Sequence, residues 1–426
     1  VLHALEIRAI RNRTAPVPID QKARRRRGLR LSGSGFEQRH GPKVHALRSS
    51  PGVSACRGDA LRFIGGDALV TNPLARYDGA MLGVAVAAVV APFLAAVILT
   101  FVVRAWSLRT GFVDRPGGHK QHGRVVALGG GIAIFLGVFA PVLGGALGLR
   151  ALAGTSLMES LPATLTVHLG GIAARTGSLM GITLAALVLH ITGLIDDRRP
   201  LGPWTKLAVQ IGVAGFTAIV LRVRLLEGPL PSWASIVATL VWIVVITNAF
   251  NFLDNMDGLS AGVAAIASLM FAIAALGAGQ LFVPILALAL SGALVGFLVF
   301  NFHPASIFMG DAGSLVVGYT LSVLTILTTF YDPAFGLTPL GLAVPLLVLA
   351  VPLYDVLSVV IHRVRSGDSP FRGDRRHFSH RLLRKGLTVR GAVLTIYLAT
   401  AATGLPAVVM PHVEWRFAAL LVAQCA

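Results

Sequence analysis

Charged residues are scarce in this chain: Asp, Glu, Lys and Arg make up 13% of its 426 residues, whereas 55% are hydrophobic. Soluble globular domains carry about 25% charged residues, so the composition excludes an ordinary soluble protein. Cysteine is nearly absent, and the two that occur, Cys56 and Cys425, lie near opposite ends of the sequence. A disulfide framework and a thiolate metal site are therefore excluded.

The first 80 residues lack the apolar runs that fill the rest of the chain. Residues 1–77 contain 15 Lys/Arg against 5 Asp/Glu, including the run ARRRRGLR. Such a composition is typical of a disordered segment, with a nucleic-acid or anionic-lipid arm as the less favoured alternative. Met81 is the first methionine. We therefore expect residues 1–80 to be a dispensable extension or an over-extended start, residues 81–426 to form one membrane domain, and no nucleic-acid partner.

Apolar runs follow one another from residue 81 to residue 410. A bilayer core of ~30 Å is crossed by ~20 apolar residues of helix. Ten windows approach that length, at about 81–103, 125–149, 179–195, 204–221, 233–253, 259–277, 281–302, 314–330, 337–362 and 391–410. A shorter eleventh run reads WRFAALLVAQCA. The sequence predicts an all-α fold, a polytopic transmembrane bundle of about 10–11 helices.

Basic residues divide unevenly between the segments that connect these windows. If the segments alternate sides, 16 Lys/Arg follow the odd-numbered helices and 4 follow the even-numbered ones. Cytoplasmic loops carry the excess of Lys and Arg, so the odd segments are predicted to be cytoplasmic. Aspartates cluster in or beside these segments, whereas Glu159, Glu227 and Glu414 fall on the other side. Short carboxylates on one face suggest a site for a hard divalent cation.

Two motifs place acidic side chains at the predicted cytoplasmic ends of helices. GLIDDRRPLGPWTK contains the adjacent Asp196 and Asp197, which repel each other and favour a cation nearby, unless they form a solvated turn. In NAFNFLDNMDG, polar residues recur every three positions at Asn248, Asn251, Asp254 and Asp257. Such positions drift by about 60° per step on an ideal helix, so the whole set shares one ligand only if the helix end tightens or unwinds. The alternative is ordinary Asn/Asp turn chemistry.

Three further segments carry polar groups to the same side. In the GDAGS segment, Asp311 and Ser314 either cap the next helix or accompany a phosphate at its N-terminus. Asp355 lies near the end of an apolar run, where an ionisable residue is a functional candidate. The two basic loops contain Lys120, His122, Arg375, Arg376, His377 and His380. Imidazoles among arginines favour an anionic pyrophosphate over a metal pair, with plain positive-inside charge as the alternative.

In their order and residue types, these motifs resemble the polyprenyl-phosphate N-acetylhexosamine-1-phosphate transferases. That family includes the undecaprenyl-phosphate GlcNAc-1-phosphate transferase and the phospho-MurNAc-pentapeptide translocase, and the resemblance runs from about Met81 to residue 410. The chain departs from the family pattern at Asn255, where the family usually has Gly, and at Ser379, where the histidine loop often has His. It also reads VVALGG where the family usually has Pro-Arg-x-Gly-Gly. Without a three-histidine cluster, it is more similar to the branch that uses UDP-GlcNAc.

The resemblance implies a Mg²⁺-dependent phosphotransferase, with Mn²⁺ as an alternative ion. Such an enzyme moves a sugar-1-phosphate, here GlcNAc-1-phosphate, from a UDP-sugar to undecaprenyl or another polyprenyl phosphate and releases UMP. By resemblance, Asn251 and Asp311 are metal ligands, and Asp196, Asp197 and Asp254 are catalytic. The implied substrate-binding residues are Lys120, His122, Asn248, Asp257, Asp355, Arg375, Arg376, His377 and His380.

The resemblance also implies a multi-pass protein of the bacterial inner (plasma) membrane with a cytoplasmic active site. The reaction would be the first membrane step of a cell-envelope polysaccharide, such as teichoic acid or lipopolysaccharide O-antigen. The sugar, the polymer and a homodimeric state stay open. So does the choice between direct attack, which we favour because a phosphate monoester is largely ionised near pH 7, and a covalent aspartyl intermediate. Exchange of UMP into UDP-sugar without lipid would indicate the intermediate.

A cation- or proton-coupled transporter is the alternative class of function. It predicts polar residues near the bilayer midplane and repeat symmetry between the two halves of the chain. Here the charged groups crowd one end of the predicted helices, and no convincing internal repeat is found. The sequence therefore favours the transferase.

Overall fold

The computed structural model describes residues 79–115, 125–152, 155, 163–332, 337–367 and 377–425. Of the predicted extension, only the last two residues are described, and Lys120, His122, Arg375 and Arg376 lie outside the described residues. The helices in chain order are α1 (Gly79–Thr110), α2 (Gly130–Leu152), α3 (Ala163–Arg198), α4 (Pro203–Ile219), α5 (Ser232–Leu253), α6 (Leu259–Gly277), α7 (Phe282–Asn301), α8 (Gly310–Leu327), α9 (Val344–Val348), α10 (Ala350–Arg365), α11 (Phe378–Arg384), α12 (Val389–Val409) and α13 (Trp415–Cys425). Two strands, β1 (Val113–Asp114) and β2 (Val126–Ala127), and two 3₁₀ turns, Pro339–Ala343 and Met410–His412, complete the described elements.

Eight helices of the described part are long and apolar enough to cross a membrane: α1, α2, α3, α5, α6, α7, α8 and α12. The broken pair formed by Pro339–Val348 and Ala350–Arg365 bends by 63° and adds a ninth span at most. Helix α4 occupies the fourth predicted window with 17 residues. The eleventh run forms α13, which has 11 residues. The predicted all-α, multi-pass membrane bundle is confirmed.

Helix α8 lies at the centre of the bundle. Of its apolar window 78% is buried, against 22% for α1, and it packs against α2, α3 and α5. Because lipid tails are as apolar as side chains, membrane helices associate through close packing, which small residues permit. A Cβ added at Gly318 would lie 2.7 Å from the Cα of Thr247 on α5. Glycine at this position allows the two backbones to approach, and this approach fixes α8 beside α5.

A short sheet ties the start of α8 to the first two helices. Strands β1 and β2 pair antiparallel, with Val113 opposite Ala127. The Phe308 N–H donates to the Ala127 carbonyl (2.9 Å), and the Phe308 carbonyl accepts from the Gly130 N–H (3.0 Å). These bonds hold the segment before α8 against α2. The N-terminus of α8 is thereby held at the end of the bundle where α3 and α5 finish.

Candidate active site

Asp311, in the first turn of α8, connects three of the sequence motifs. Its Oδ1 accepts a hydrogen bond from Asn251 Nδ2 (2.9 Å), and its Oδ2 accepts one from Lys206 Nζ (2.8 Å). Lys206 Nζ also donates to Asp196 Oδ2 (3.1 Å). The same Asn251 nitrogen donates to Ser314 Oγ (2.9 Å). The structure thus brings together Asp196, Asn251 and Asp311, which sequence analysis had placed in one site.

Lys206 is a site residue that sequence reasoning did not assign. It is the last residue of the GLIDDRRPLGPWTK motif and lies in the first turn of α4. Its ammonium bridges carboxylates that are 115 positions apart in the chain, and about a quarter of its side chain is exposed. A lysine just inside an apolar run, ten positions after Asp196, was the available signal. Only the tertiary fold shows that it reaches Asp311.

Asp197 caps the N-terminus of α8 from a different helix. Its Oδ1 accepts from the Asp311 N–H (2.8 Å) and its Oδ2 from the Ala312 N–H (3.2 Å). The first N–H groups of a helix have no intrahelical partner, and a carboxylate there also meets the positive end of the helix dipole. Gly310 has φ +69°, and a Cβ there would lie 2.5 Å from Asp197 Oδ2. Asp197 thus performs the capping considered for Asp311, and this geometry gives it a positioning role.

Replacing Asp197 with asparagine is expected to destabilise the protein by about 1 kcal/mol, the usual value of a helix cap. The amide nitrogen would face a backbone N–H, so one of the two bonds is lost and Asp311 shifts. The melting temperature in detergent and the enzymatic activity should therefore both decrease. Glu227→Gln is the matched control, because Glu227 pairs with Arg224 on the segment between α4 and α5. Lost activity with an unchanged melting temperature would contradict the capping role.

The chain leaves its helix between Asp254 and Gly258, a segment we call the carboxylate turn. Helix α5 ends at Leu253, and Gly258 adopts φ +76°, in the left-handed region that glycine enters without strain. The helix therefore ends within the motif, and Asp254 and Asp257 lie beyond its last residue. Asp254 is half-buried, and burial together with the charges of Asp311 and Asp197 raises its pKa to about 8. Negative charge is crowded here, and a cation would relieve it.

The two outer members of the motif bind other partners. Asn248 Nδ2 donates to Gln210 Oε1 of α4 (2.6 Å). Asp257 Oδ2 contacts His303 Nδ1 (2.7 Å) and accepts from the Ala305 N–H (3.0 Å). His303 is a second residue that sequence reasoning missed, although it stands eight positions before Asp311. The motif therefore divides: Asn251 and Asp254 lie by Asp311, while Asn248 and Asp257 bind neighbouring segments.

Asp355 fixes the histidine helix, the name we give to α11 with the preceding His377. Asp355 Oδ2 contacts His377 Nδ1 (2.8 Å), and Oδ1 accepts from the Phe378 N–H (2.7 Å). Asp355 is 1% exposed and His377 is 6% exposed. The His377 ring meets the His380 ring edge-on at 6.2 Å between centroids. Buried Asp355 thus orients His377, which suits a supporting role better than direct contact with a nucleotide.

The donor atoms around Asp311 fit a hard divalent cation. Carboxylates of Asp311 and Asp254 and the amide oxygen of Asn251 are the ligand types that Mg²⁺ prefers. Lys206 already places one positive charge between Asp196 and Asp311. Within the described ranges, no group of three or more His, Cys, Asp or Glu is arranged as a metal cluster. The metal assignment of Asn251 and Asp311 therefore stays a prediction, supported by the chemistry of the donors.

Comparison with known proteins agrees with this arrangement. A family model described as glycosyl transferase family 4 matches residues 179–329. A probable undecaprenyl-phosphate N-acetylglucosaminyl 1-phosphate transferase of Bacillus subtilis is 32% identical over 340 residues, covering 78% of this chain and 86% of the relative. A decaprenyl-phosphate N-acetylglucosaminephosphotransferase of Mycolicibacterium smegmatis is 35% identical over 337 residues, covering 72% and 78%. An undecaprenyl-phosphate alpha-N-acetylglucosaminyl 1-phosphate transferase of Yersinia pestis is 27% identical over 345 residues, covering 77% and 86%. With these motifs on one end of a multi-pass bundle, the chain belongs to the polyprenyl-phosphate N-acetylhexosamine-1-phosphate transferases of glycosyl transferase family 4.

Proposed function

We propose that this protein transfers GlcNAc-1-phosphate from UDP-GlcNAc to a polyprenyl phosphate and releases UMP. The observation that carries the proposal is Asp311, where Lys206, Asn251 and the adjacent Asp196–Asp197 pair meet at one end of the bundle. The names of the relatives supply the sugar and the lipid. These relatives give no support to a transporter function.

The two substrates carry negative charges that must be neutralised before they can meet. Mg²⁺, held by Asp311 and Asn251 in our proposal, would stabilise charge on the transferred phosphate. Lys206 adds a fixed ammonium at the same place, and the histidine helix contacts the carboxylate turn through Ser379. The protein's contribution is then mainly the alignment of two anions and the screening of their repulsion.

The hydrogen bonds of the adjacent carboxylates favour direct attack by the lipid phosphate. Asp197 uses both oxygens to accept backbone N–H groups. Asp196 accepts from the Leu201 N–H (2.6 Å) and from Lys206 Nζ (3.1 Å). Each of these oxygens is already stabilised by a donor, so neither carboxylate is a strong nucleophile in this arrangement. We therefore assign positioning roles to both and let the ionised phosphate attack.

We further propose that the site faces the cytoplasm from the bacterial plasma membrane. UDP-sugars are charged and are made in the cytoplasm, so the carboxylates must be reached from that side. The excess of Lys and Arg in the odd-numbered connecting segments supports the same orientation. Helices α3, α5 and α10 end where three of these segments begin, after the third, fifth and ninth apolar windows. A polyprenyl phosphate in the bilayer can then present its headgroup at the interface where Asp311 lies.

Purified protein in detergent should convert labelled UDP-GlcNAc and undecaprenyl phosphate into an organic-extractable product, with one UMP released per product. Detergent removes any sealed compartment, so turnover there also excludes transport as the source of the signal. A chelator should abolish turnover, because the crowded carboxylates then lack their cation, and Mg²⁺ should restore it. UDP-GalNAc and UDP-glucose test the choice of sugar. Folded protein that forms no lipid product with any of the three would overturn the proposal.

A further inference from the structure

A part-buried hydrogen bond joins the carboxylate turn to the histidine helix. Ser379 Oγ donates to Asn255 Oδ1 at 2.6 Å, across 124 positions of sequence. Ser379 is 1% exposed, and Asn255 lies between Asp254 and Asp257 on the turn. The bond therefore runs between the segment that carries the carboxylates and the segment that carries the histidines.

The hydroxyl of Ser379 bonds to a side chain of another element and not to its own helix. Thr320 and Thr400 donate back to carbonyls four residues earlier on their own helices. Such local bonds hold nothing else in place. Ser379 instead bonds to another element, and a buried hydroxyl left without a partner would cost free energy. The bond therefore ties the position of α11 to the position of the turn.

Helix α11 depends on such contacts for its position. It has seven residues, and isolated helices shorter than ~12 residues are not stable in water. Asp355 bonds to its start, and Asn255 bonds to it through Ser379. Asn255 is itself held, because its Nδ2 donates to the Phe252 carbonyl (2.7 Å). The Phe252 ring packs edge-on against His377, at 6.3 Å between centroids.

We propose that the Asn255–Ser379 hydrogen bond is a positioning link that holds His377 and His380 in register with the carboxylate turn for binding the nucleotide-sugar pyrophosphate. The link rests on the proposed function for the identity of this ligand. Asn255 and Ser379 are also two of the three places where the sequence departs from the family pattern, and here they are direct partners. A histidine at 379 would need space that the Asn255 side chain fills. The residue at 379 and the residue at 255 are therefore expected to depend on each other.

The test compares Asn255→Ala, Ser379→Ala and the double variant in the full-length protein. Each single variant should raise KM for UDP-GlcNAc by about 3- to 10-fold, the net value of one hydrogen bond, while KM for undecaprenyl phosphate stays unchanged. The KM of the double variant for UDP-GlcNAc should be no higher than the higher of the two single-variant values, since both substitutions break the same bond. Unchanged KM values, or effects that multiply, would overturn the link.

A matched control removes a buried side-chain bond elsewhere in the bundle. Thr325→Val breaks the bond from Trp242 Nε1 (2.7 Å) near the other end of α8. This variant should lower the melting temperature without changing KM for UDP-GlcNAc. If the link variants behave in the same way, the bond is merely structural and the proposal fails.

A second pair of variants tests the shared space directly. Ser379→His alone should lose nucleotide affinity, and Asn255→Gly with Ser379→His should regain most of it. Equal affinity in the single and double variants would contradict the link. Calorimetric binding of UDP-GlcNAc serves as readout beside activity. If wild-type protein binds UDP-GlcNAc but never transfers the sugar, the proposed function fails. The calorimetric affinities of the variants still test the Asn255–Ser379 link in that case.

Discussion

Replacing Asp311 with asparagine is expected to lower kcat by about 10²–10³-fold, the loss seen when one preorganised electrostatic group is removed from an active site. Asp311 contacts both Lys206 and Asn251, and its own N–H donates to Asp197. Asparagine keeps the shape and the backbone bond to Asp197. It removes the charge that attracts the ammonium and, in our proposal, the metal.

The Asp311→Asn measurement needs a folded variant and an acidic residue outside the site as reference. The melting temperature should stay close to that of wild-type protein, because the cap of α8 comes from Asp197 and remains in place. Glu227→Gln should keep nearly full activity. If Asp311→Asn turns over at more than a third of the wild-type rate, the carboxylate is not at the reaction centre and the proposed metal site is wrong.

The membrane architecture was predictable because it depends on residue type averaged over long windows. Ten apolar runs were expected, and eight of the described helices are confirmed as long enough to span. The run at 337–362 could not be resolved by hydropathy, since a 63° bend leaves the average unchanged. The polar motifs were also recognisable, because carboxylates and amides at the ends of apolar helices are costly unless they serve a site.

The partners of those polar residues were not predictable from spacing. Asp196 and Asp197 are adjacent in sequence, yet successive helical residues point about 100° apart. Asp196 therefore meets Lys206 of α4, whereas Asp197 meets the backbone of α8. From sequence alone, the pair is treated as one group. Its members differ because two different helices pack against the end of α3.

The partner of Asn255 shows the same limit of sequence reasoning. As an isolated departure from a family pattern, this residue had no physical explanation. The structure pairs it with Ser379, another of the departures, through a contact between segments that are 124 positions apart. Such a pairing depends on the packing of α11 against the turn, which no local periodicity encodes. What sequence identified was the set of candidate residues, and what it lacked was the assignment of partners.

Lys206→Met is expected to lower kcat by about 10²-fold, again the scale of one lost electrostatic group. Methionine keeps the length of the side chain, so packing at the start of α4 should survive. Without the ammonium, Asp196 and Asp311 face each other with no positive charge between them. At 4 Å, two like charges repel by about 4 kcal/mol at an effective dielectric constant of 20, so the carboxylates should separate or take up a proton.

The Lys206→Met variant should also need less Mg²⁺ than the wild-type protein. Lys206 and a metal ion would both neutralise Asp311, so removing the ammonium should lower the Mg²⁺ concentration that gives half-maximal activity while kcat falls. Titrating Mg²⁺ against the residual activity measures this shift. Lys385→Met, which removes an exposed lysine at the end of α11, should change neither quantity by more than about twofold, as expected of an exposed charge. If Lys206→Met left kcat intact, or raised the Mg²⁺ requirement, Lys206 would not share Asp311 with the cation, and the bridging ammonium would serve only to hold α4 against α8.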